Sequence, residues 1–215
     1  MKRREALALI AAGASTVISR ALAKGDIPPG VNQLDGTVYV NGAQAHVGTP
    51  VRPGDRVTTS HASSAVIVVG KDAFLLRSQT SIQFGKGSDG LLHEMLVATG
   101  GVLSVFSKKA VTIKAASASI GIRGTGAYLE IDPGGVYFCL CYGEAVVDGP
   151  GMASGRVVRT KHHEEPLLLH EDGNAMRIEE GPFRNHTDAE LIMLEALVGR
   201  EPPFMNDGPY PAGKY

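Results

Sequence analysis

Cys139-Leu140-Cys141 and, downstream, Lys161-His162-His163-Glu164-Glu165 are the stretches whose side chains could do chemistry. Thiols and imidazoles together form a donor set for a soft or borderline metal ion. The cysteines lie in the apolar run Val136–Tyr142. Residues two apart on a strand point to one face, so the sulfurs share an environment. Their Cα atoms would be about 6.5–7 Å apart, at or beyond the reach of a relaxed disulfide, so no bridge is expected. Cys139 and Cys141 with His162 and His163 would suit tetrahedral Zn2+, and Cu(I) would also accept the sulfurs. A hairpin between Tyr142 and His162 would bring the two groups together. Cysteines facing a β core are equally ordinary packing, and the His-His turn before Pro166 equally a solvated loop. Both readings stay open on sequence alone.

Other chemistry finds less support. Gly121-Ile122-Arg123-Gly124-Thr125-Gly126 lacks the Lys-Ser/Thr step and the following helix of a phosphate loop; its glycines read as corners between strands. No nucleophile-elbow sequence and no HExxH occurs. His46, His61, His93, His170 and His186 are scattered singly, without ligand spacing. No catalytic residues are assigned, and an enzyme is not expected. A net charge of −1 gives no electrostatic case for nucleic acid or an anionic membrane.

The elements that must position these residues read as short strands. The chain's 27 glycines, many between short apolar runs, argue for many turns and few long helices. Asn41-Gly42 is a type I′ hairpin signal between Thr37–Val40 and Ala43–Val47. Ser64–Val69 and Ala73–Arg77 flank a second tight reversal at Gly70-Lys71-Asp72, and their apolar runs suit strands covered on both faces. Thr80–Phe84, Leu91–Ala98, Val102–Phe106, Val111–Ala115, Ala127–Ile131, Val136–Tyr142 and Glu144–Val147 continue the series. Val157–Thr160, Leu167–Leu169 and Ala175–Ile178 follow. The fold class is therefore all-β, a sandwich, barrel or solenoid of many short strands, closed by one C-terminal amphipathic helix at 187–199. Thr187-Asp188-Ala189-Glu190 is its capping box, and Leu191, Leu194, Leu197 and Val198 form the stripe expected to dock on the β core. Residues 24–33 read as a linker, 34–180 as the β domain and 200–215 as a mobile tail too poor in apolar residues to fold.

Lys2, Arg3 and Arg4, the apolar run Ala6–Ser19 and Ala21-Leu22-Ala23 make up a secretory signal peptide at 1–23, cleaved after about Ala23. Arg3-Arg4-Glu5-Ala6-Leu7 also resembles a twin-arginine signal, although two basic residues are common in any leader. The apolar run is shorter than the ~20 residues a spanning helix needs. A mature chain without a membrane span, soluble in a Gram-negative periplasm, is expected.

Pro53-Gly54-Asp55 with Thr58-Thr59, Gly100-Gly101-Val102-Leu103 and Gly124-Thr125-Gly126 follow in an order that resembles the periplasmic domain of the FecR ferric-citrate regulator family. The resemblance runs over residues 36–147. It implies a β-rich recognition or sensing module that binds a protein partner or ligand in envelope signalling. In FecR that domain takes its signal from a TonB-dependent outer-membrane transporter, so an envelope or outer-membrane transporter protein is the partner it implies. FecR also carries a cytoplasmic part acting on a sigma factor and a membrane helix. Only the leader precedes the domain here, so direct sigma-factor control is not expected. The alternative function is a small periplasmic metal-binding protein using the Cys-x-Cys and His-His residues.

Overall fold

The structure, a computed structural model, describes residues 28–206, so the leader read at 1–23 lies outside it. Alternating apolar residues and turn formers produce β1 (Gly30–Asp35), β2 (Val38–Val40), β3 (Ala43–Gln44), β4 (Arg56–Thr59), β5 (Ser64–Val69) and β6 (Asp72–Leu76). They continue as β7 (Ser81–Lys86), β8 (Leu92–Thr99), β9 (Gly101–Val105), β10 (Ala110–Ala115) and β11 (Ala118–Arg123). Last come β12 (Gly126–Asp132), β13 (Gly135–Asp148), β14 (Arg156–Thr160), β15 (Leu167–Asp172) and β16 (Ala175–Glu180). One helix, α1 (Asp188–Leu197), and a short 3-10 turn at Pro203–Asn206 follow. This is the expected all-β class with a C-terminal helix. None of the described helices is long and apolar enough to cross a membrane.

All strands join one hydrogen-bonded sheet, ordered β1-β5-β6-β9-β12-β13-β11-β10-β8-β7-β4-β2-β3, with β14 and β15 also on β13 and β16 on β15. The sheet curls into two wings that share β13. The first half of β13 pairs with β12 and β15, and the second half with β11 and β14. Phe74 on β6 meets Phe84 on β7 at 4.9 Å between ring centroids, so the two wings face each other across the main core. The other face of the first wing carries a second apolar layer. Side chains alternate between the two: Phe74 and Leu76 enter the main core, while Ala73 and Leu75 enter the outer layer. The buried runs of β5 and β6 are thus covered on both faces, as their sequences predict.

A strap formed by residues 181–206, including α1, covers that outer layer. Thr187 caps α1: its hydroxyl accepts from Glu190 N at 3.3 Å, while the Thr187 N–H donates to the Glu190 carboxylate at 2.9 Å. Leu191, Leu194 and Leu197 are buried against the sheet. The helix packs at home, as its stripe predicts.

Several expectations need correction. The segment 24–33 is not all linker: β1 begins at Gly30, Val31 is buried, and the strand pairs with β5. Val31 N also donates to Thr49 O at 2.9 Å, which replaces the missing apolar periodicity with backbone bonding. The tail read at 200–215 is ordered at its start, where Phe204 is buried with its ring 6.0 Å from Tyr142. In the Gly121–Gly126 run, Gly121 lies inside β11, whose Ala118, Ile120 and Ile122 alternate into the core, while Gly124, at φ +62°, makes the expected corner before β12. Val136–Tyr142 and Glu144–Val147 are one strand bent at Gly143.

That bend requires glycine. Gly143 has φ +100°, and a Cβ there would come within 2.6 Å of the Thr125 Cγ2. Gly143→Ala should destabilise the protein by roughly 2–4 kcal/mol, through backbone strain plus the clash. Gly173, at φ +60° with nothing within 4 Å of a Cβ, isolates the backbone part. Gly173→Ala should cost about 1 kcal/mol. Urea unfolding of the two variants checks this, and equal losses would refute the clash at Gly143.

Candidate metal centre

The outer face of β13 presents Tyr137, Cys139 and Cys141, while Val136, Phe138 and Leu140 point into the main core. The sulfurs therefore share one face, and both are free thiols. The hairpin from β13 through β14 returns the chain so that His163 N donates to Cys141 O at 3.0 Å. Glu164 holds this turn by accepting from Lys161 N at 2.7 Å and His162 N at 2.8 Å. His163 itself adopts φ +53°, a left-handed backbone that a non-glycine residue leaves when nothing holds it.

The fourth member comes from the strap. His186 precedes the helix cap and stacks on Tyr128, with centroids 4.8 Å apart and planes at 17°. Its Nε2 lies 3.1 Å from His163 Nδ1, which in turn lies 3.5 Å from Cys139 Sγ. One ligand atom from each of Cys139, Cys141, His163 and His186 falls within 4.8 Å of all the others. All four residues are buried, none more than 3% exposed.

The outer nitrogens decide what the inner ones can do. His163 Nε2 faces Asp188 Oδ1 at 3.1 Å, and His186 Nδ1 faces the Arg184 carbonyl at 2.7 Å. Both partners are acceptors, so each outer nitrogen is placed to donate to one. His163 Nδ1 and His186 Nε2 thus face each other, where a cation held between them could meet both. A carboxylate or carbonyl behind each imidazole is the usual support for a metal-bound histidine.

Two of the six donor–donor distances suit a tetrahedral ion. Metal–sulfur bonds of about 2.3 Å and metal–nitrogen bonds of about 2.0–2.1 Å give nitrogen–nitrogen edges of about 3.3 Å and sulfur–nitrogen edges of about 3.5 Å. The observed 3.1 Å and 3.5 Å lie close to both. Charge is also in place. Hydrogen bonding with the Cys141 thiol, helped by His186, outweighs burial and brings Cys139 down to about 6. Burial, then the neighbouring Cys139, pushes the Cys141 thiol up. Burial holds His163 below the usual histidine range, against the pull of Asp188. A cysteine pair with one thiol lowered and one raised, beside an imidazole held below its usual range, releases protons on taking a divalent ion.

Of the residues singled out in sequence, the structure brings together Cys139, Cys141 and His163. His162 stands one shell out: its Nε2 meets Asp188 Oδ1 at 2.9 Å, and it groups with His163 and Asp188 rather than with the sulfurs. The strand-to-turn geometry points His163 inward and leaves His162 on the rim, so His186 takes the place expected of it. Sequence spacing carries no signal for His186. The nearest hint is its position just before the Thr187 capping box, which ties it to a helix that docks. Arg123 lies apart from this cluster, on the surface, where its Nε donates to Lys108 O at 3.1 Å.

Fold and site together define a β domain with a buried two-sulfur, two-nitrogen donor set under a C-terminal strap. No family model matches the chain, and no curated protein matches its sequence. Two crystal structures of a proposed anti-sigma factor from Parabacteroides distasonis ATCC 8503 resemble it in fold, each with a TM-score of 0.47 and at 11% and 12% identity. Each match covers 58% of this chain and 59% of that one, so less than two thirds of either is spanned.

Proposed function

We propose that this domain is a non-catalytic, exported metal-binding module in which Cys139, Cys141, His163 and His186 hold one Zn2+. The observation that carries the reading is the buried cluster of two cysteine sulfurs and two imidazole nitrogens, with His163 Nδ1 and His186 Nε2 3.1 Å apart. Four protein donors leave no vertex for substrate or water, the arrangement of a structural rather than a catalytic zinc. Sulfur and nitrogen donors in tetrahedral array favour Zn2+ over hard cations, and Cu(I) is the competitor. The leader read at 1–23 supports export, and a twin-arginine route would let the thiols take metal before meeting an oxidising compartment. A role in envelope recognition, as the FecR resemblance implies, fits a domain whose metal serves architecture rather than turnover.

Metal analysis of the purified full chain tests this. One Zn2+ per chain is expected, falling below a tenth of that in Cys139→Ser/Cys141→Ser. Co2+ substitution should give the intense visible absorption of a tetrahedral thiolate site. Metal-free protein that takes up neither Zn2+ nor Cu(I) would leave the cluster as plain packing and end the proposal.

A further inference from the structure

The metal centre is built from two parts of the chain that make no strand pair with each other. β13 and the turn after β14 supply Cys139, Cys141 and His163. The strap supplies His186 and also Asp188, the first residue of α1, which accepts from His163 at 3.1 Å. Without the docked strap the site loses one of its four ligands and the carboxylate that orients another. The strap follows the last strand and contributes to no sheet pairing, so it can lift without breaking a ladder.

Resting on the zinc reading above, we propose that the strap is a metal-latched cover: Zn2+ locks residues 181–206 over the outer face of the sheet, and loss of Zn2+ releases them. The surface beneath is apolar and continuous, formed by Val66, Val68, Leu75, Leu103, Tyr128 and Tyr137. Contacts on either side of His186 tune the latch. Arg77 donates to both Glu190 oxygens at 2.8 Å and 2.9 Å and to Asn185 O at 2.6 Å, tying the helix start and the residue before His186 to the chain just after β6. Asn185 Nδ2 adds a bond to Glu130 at 2.7 Å. Asn185 takes φ +61°, a turn that aims His186 back at the sulfurs. At the far end Arg200 reaches Glu195 at 2.5 Å and Lys71 O at 2.7 Å.

A ligand that needs the closed strap must also hold it closed, by the same factor. Arg77→Ala touches no metal ligand, yet it should lower Zn2+ affinity about tenfold, equivalent to about 1.4 kcal/mol. Leu194→Ala, which loosens the helix from the sheet instead, should weaken Zn2+ binding in the same direction.

Amide hydrogen exchange on the full chain, with equimolar Zn2+ and with a chelator, reads the strap directly. Exchange in α1 should accelerate at least tenfold on chelation while β5, β6 and β9 keep their protection. A strap equally protected in both states overturns the latch and leaves the zinc centre standing. So does a chain whose strands and strap lose protection together. Unchanged Zn2+ affinity in both variants also overturns it. Absence of any Zn2+ uptake by the wild-type chain sinks the zinc reading itself, and the latch with it.

Discussion

Holding free Zn2+ about a thousandfold above its dissociation constant should stabilise the protein by about 4 kcal/mol and raise its unfolding midpoint by about 10 °C. The gain is this large because an unfolded chain offers no preformed site, so binding energy becomes folding energy. The folded cluster already gathers its ligand atoms within 4.8 Å of one another, with an acceptor behind each imidazole. Cys139→Ser, Cys141→Ser, His163→Gln and His186→Gln should each abolish the zinc-dependent shift. His162→Gln should keep a zinc-dependent shift, with affinity reduced by about tenfold at most, because it stands outside the four ligands and bonds to Asp188 behind His163. Differential scanning calorimetry of loaded and chelated protein reads all five. Coincident melting curves for the wild-type chain in the two states would contradict the centre.

Part of this was legible in the chain because it depends on neighbours in sequence. Alternation along Val136–Tyr142 put both sulfurs on one face, and the capping box placed the start of the helix at Thr187. Asn41-Gly42 has both φ values positive, 52° and 82°, as its hairpin type demands. What failed depends on contacts distant in sequence. β1 reads as linker because Gly30–Asp35 carries little apolar character, and backbone pairing with β5 supplies what its side chains lack. Phe204 reads as tail because its burial comes from Tyr142, far back in the chain. His186 is the instructive miss. A lone histidine becomes a candidate ligand only when the strap folds back over β13, and no spacing rule encodes that return. His162 and His163 are indistinguishable in sequence; a left-handed backbone at His163 turns it inward and separates them.

Phe74→Ala should destabilise the fold by about 3–5 kcal/mol, and Phe74→Leu by only about 1–1.5 kcal/mol. Phe74 is fully buried where the wings meet, 4.9 Å from the Phe84 ring and 5.6 Å from the Phe106 ring. Truncation removes transfer energy, opens a cavity between the wings and deletes two aromatic contacts, whereas leucine refills most of the space. The metal centre lies on the other face of the same wing, beyond Ala73 and Leu75. Phe74 and Cys139 share no cluster, so their effects should be independent. In chelator, the loss in Phe74→Ala/Cys139→Ser should equal the sum of the single losses within about 0.5 kcal/mol. Phe74→Ala should also bind Zn2+ with wild-type affinity if the chain still folds, and Phe74→Leu secures that comparison if it does not. Urea unfolding with a zinc titration measures both. A coupling well above 0.5 kcal/mol would mean that the sheet passes strain from core to strap, and its two faces would then have to be treated as one packed unit.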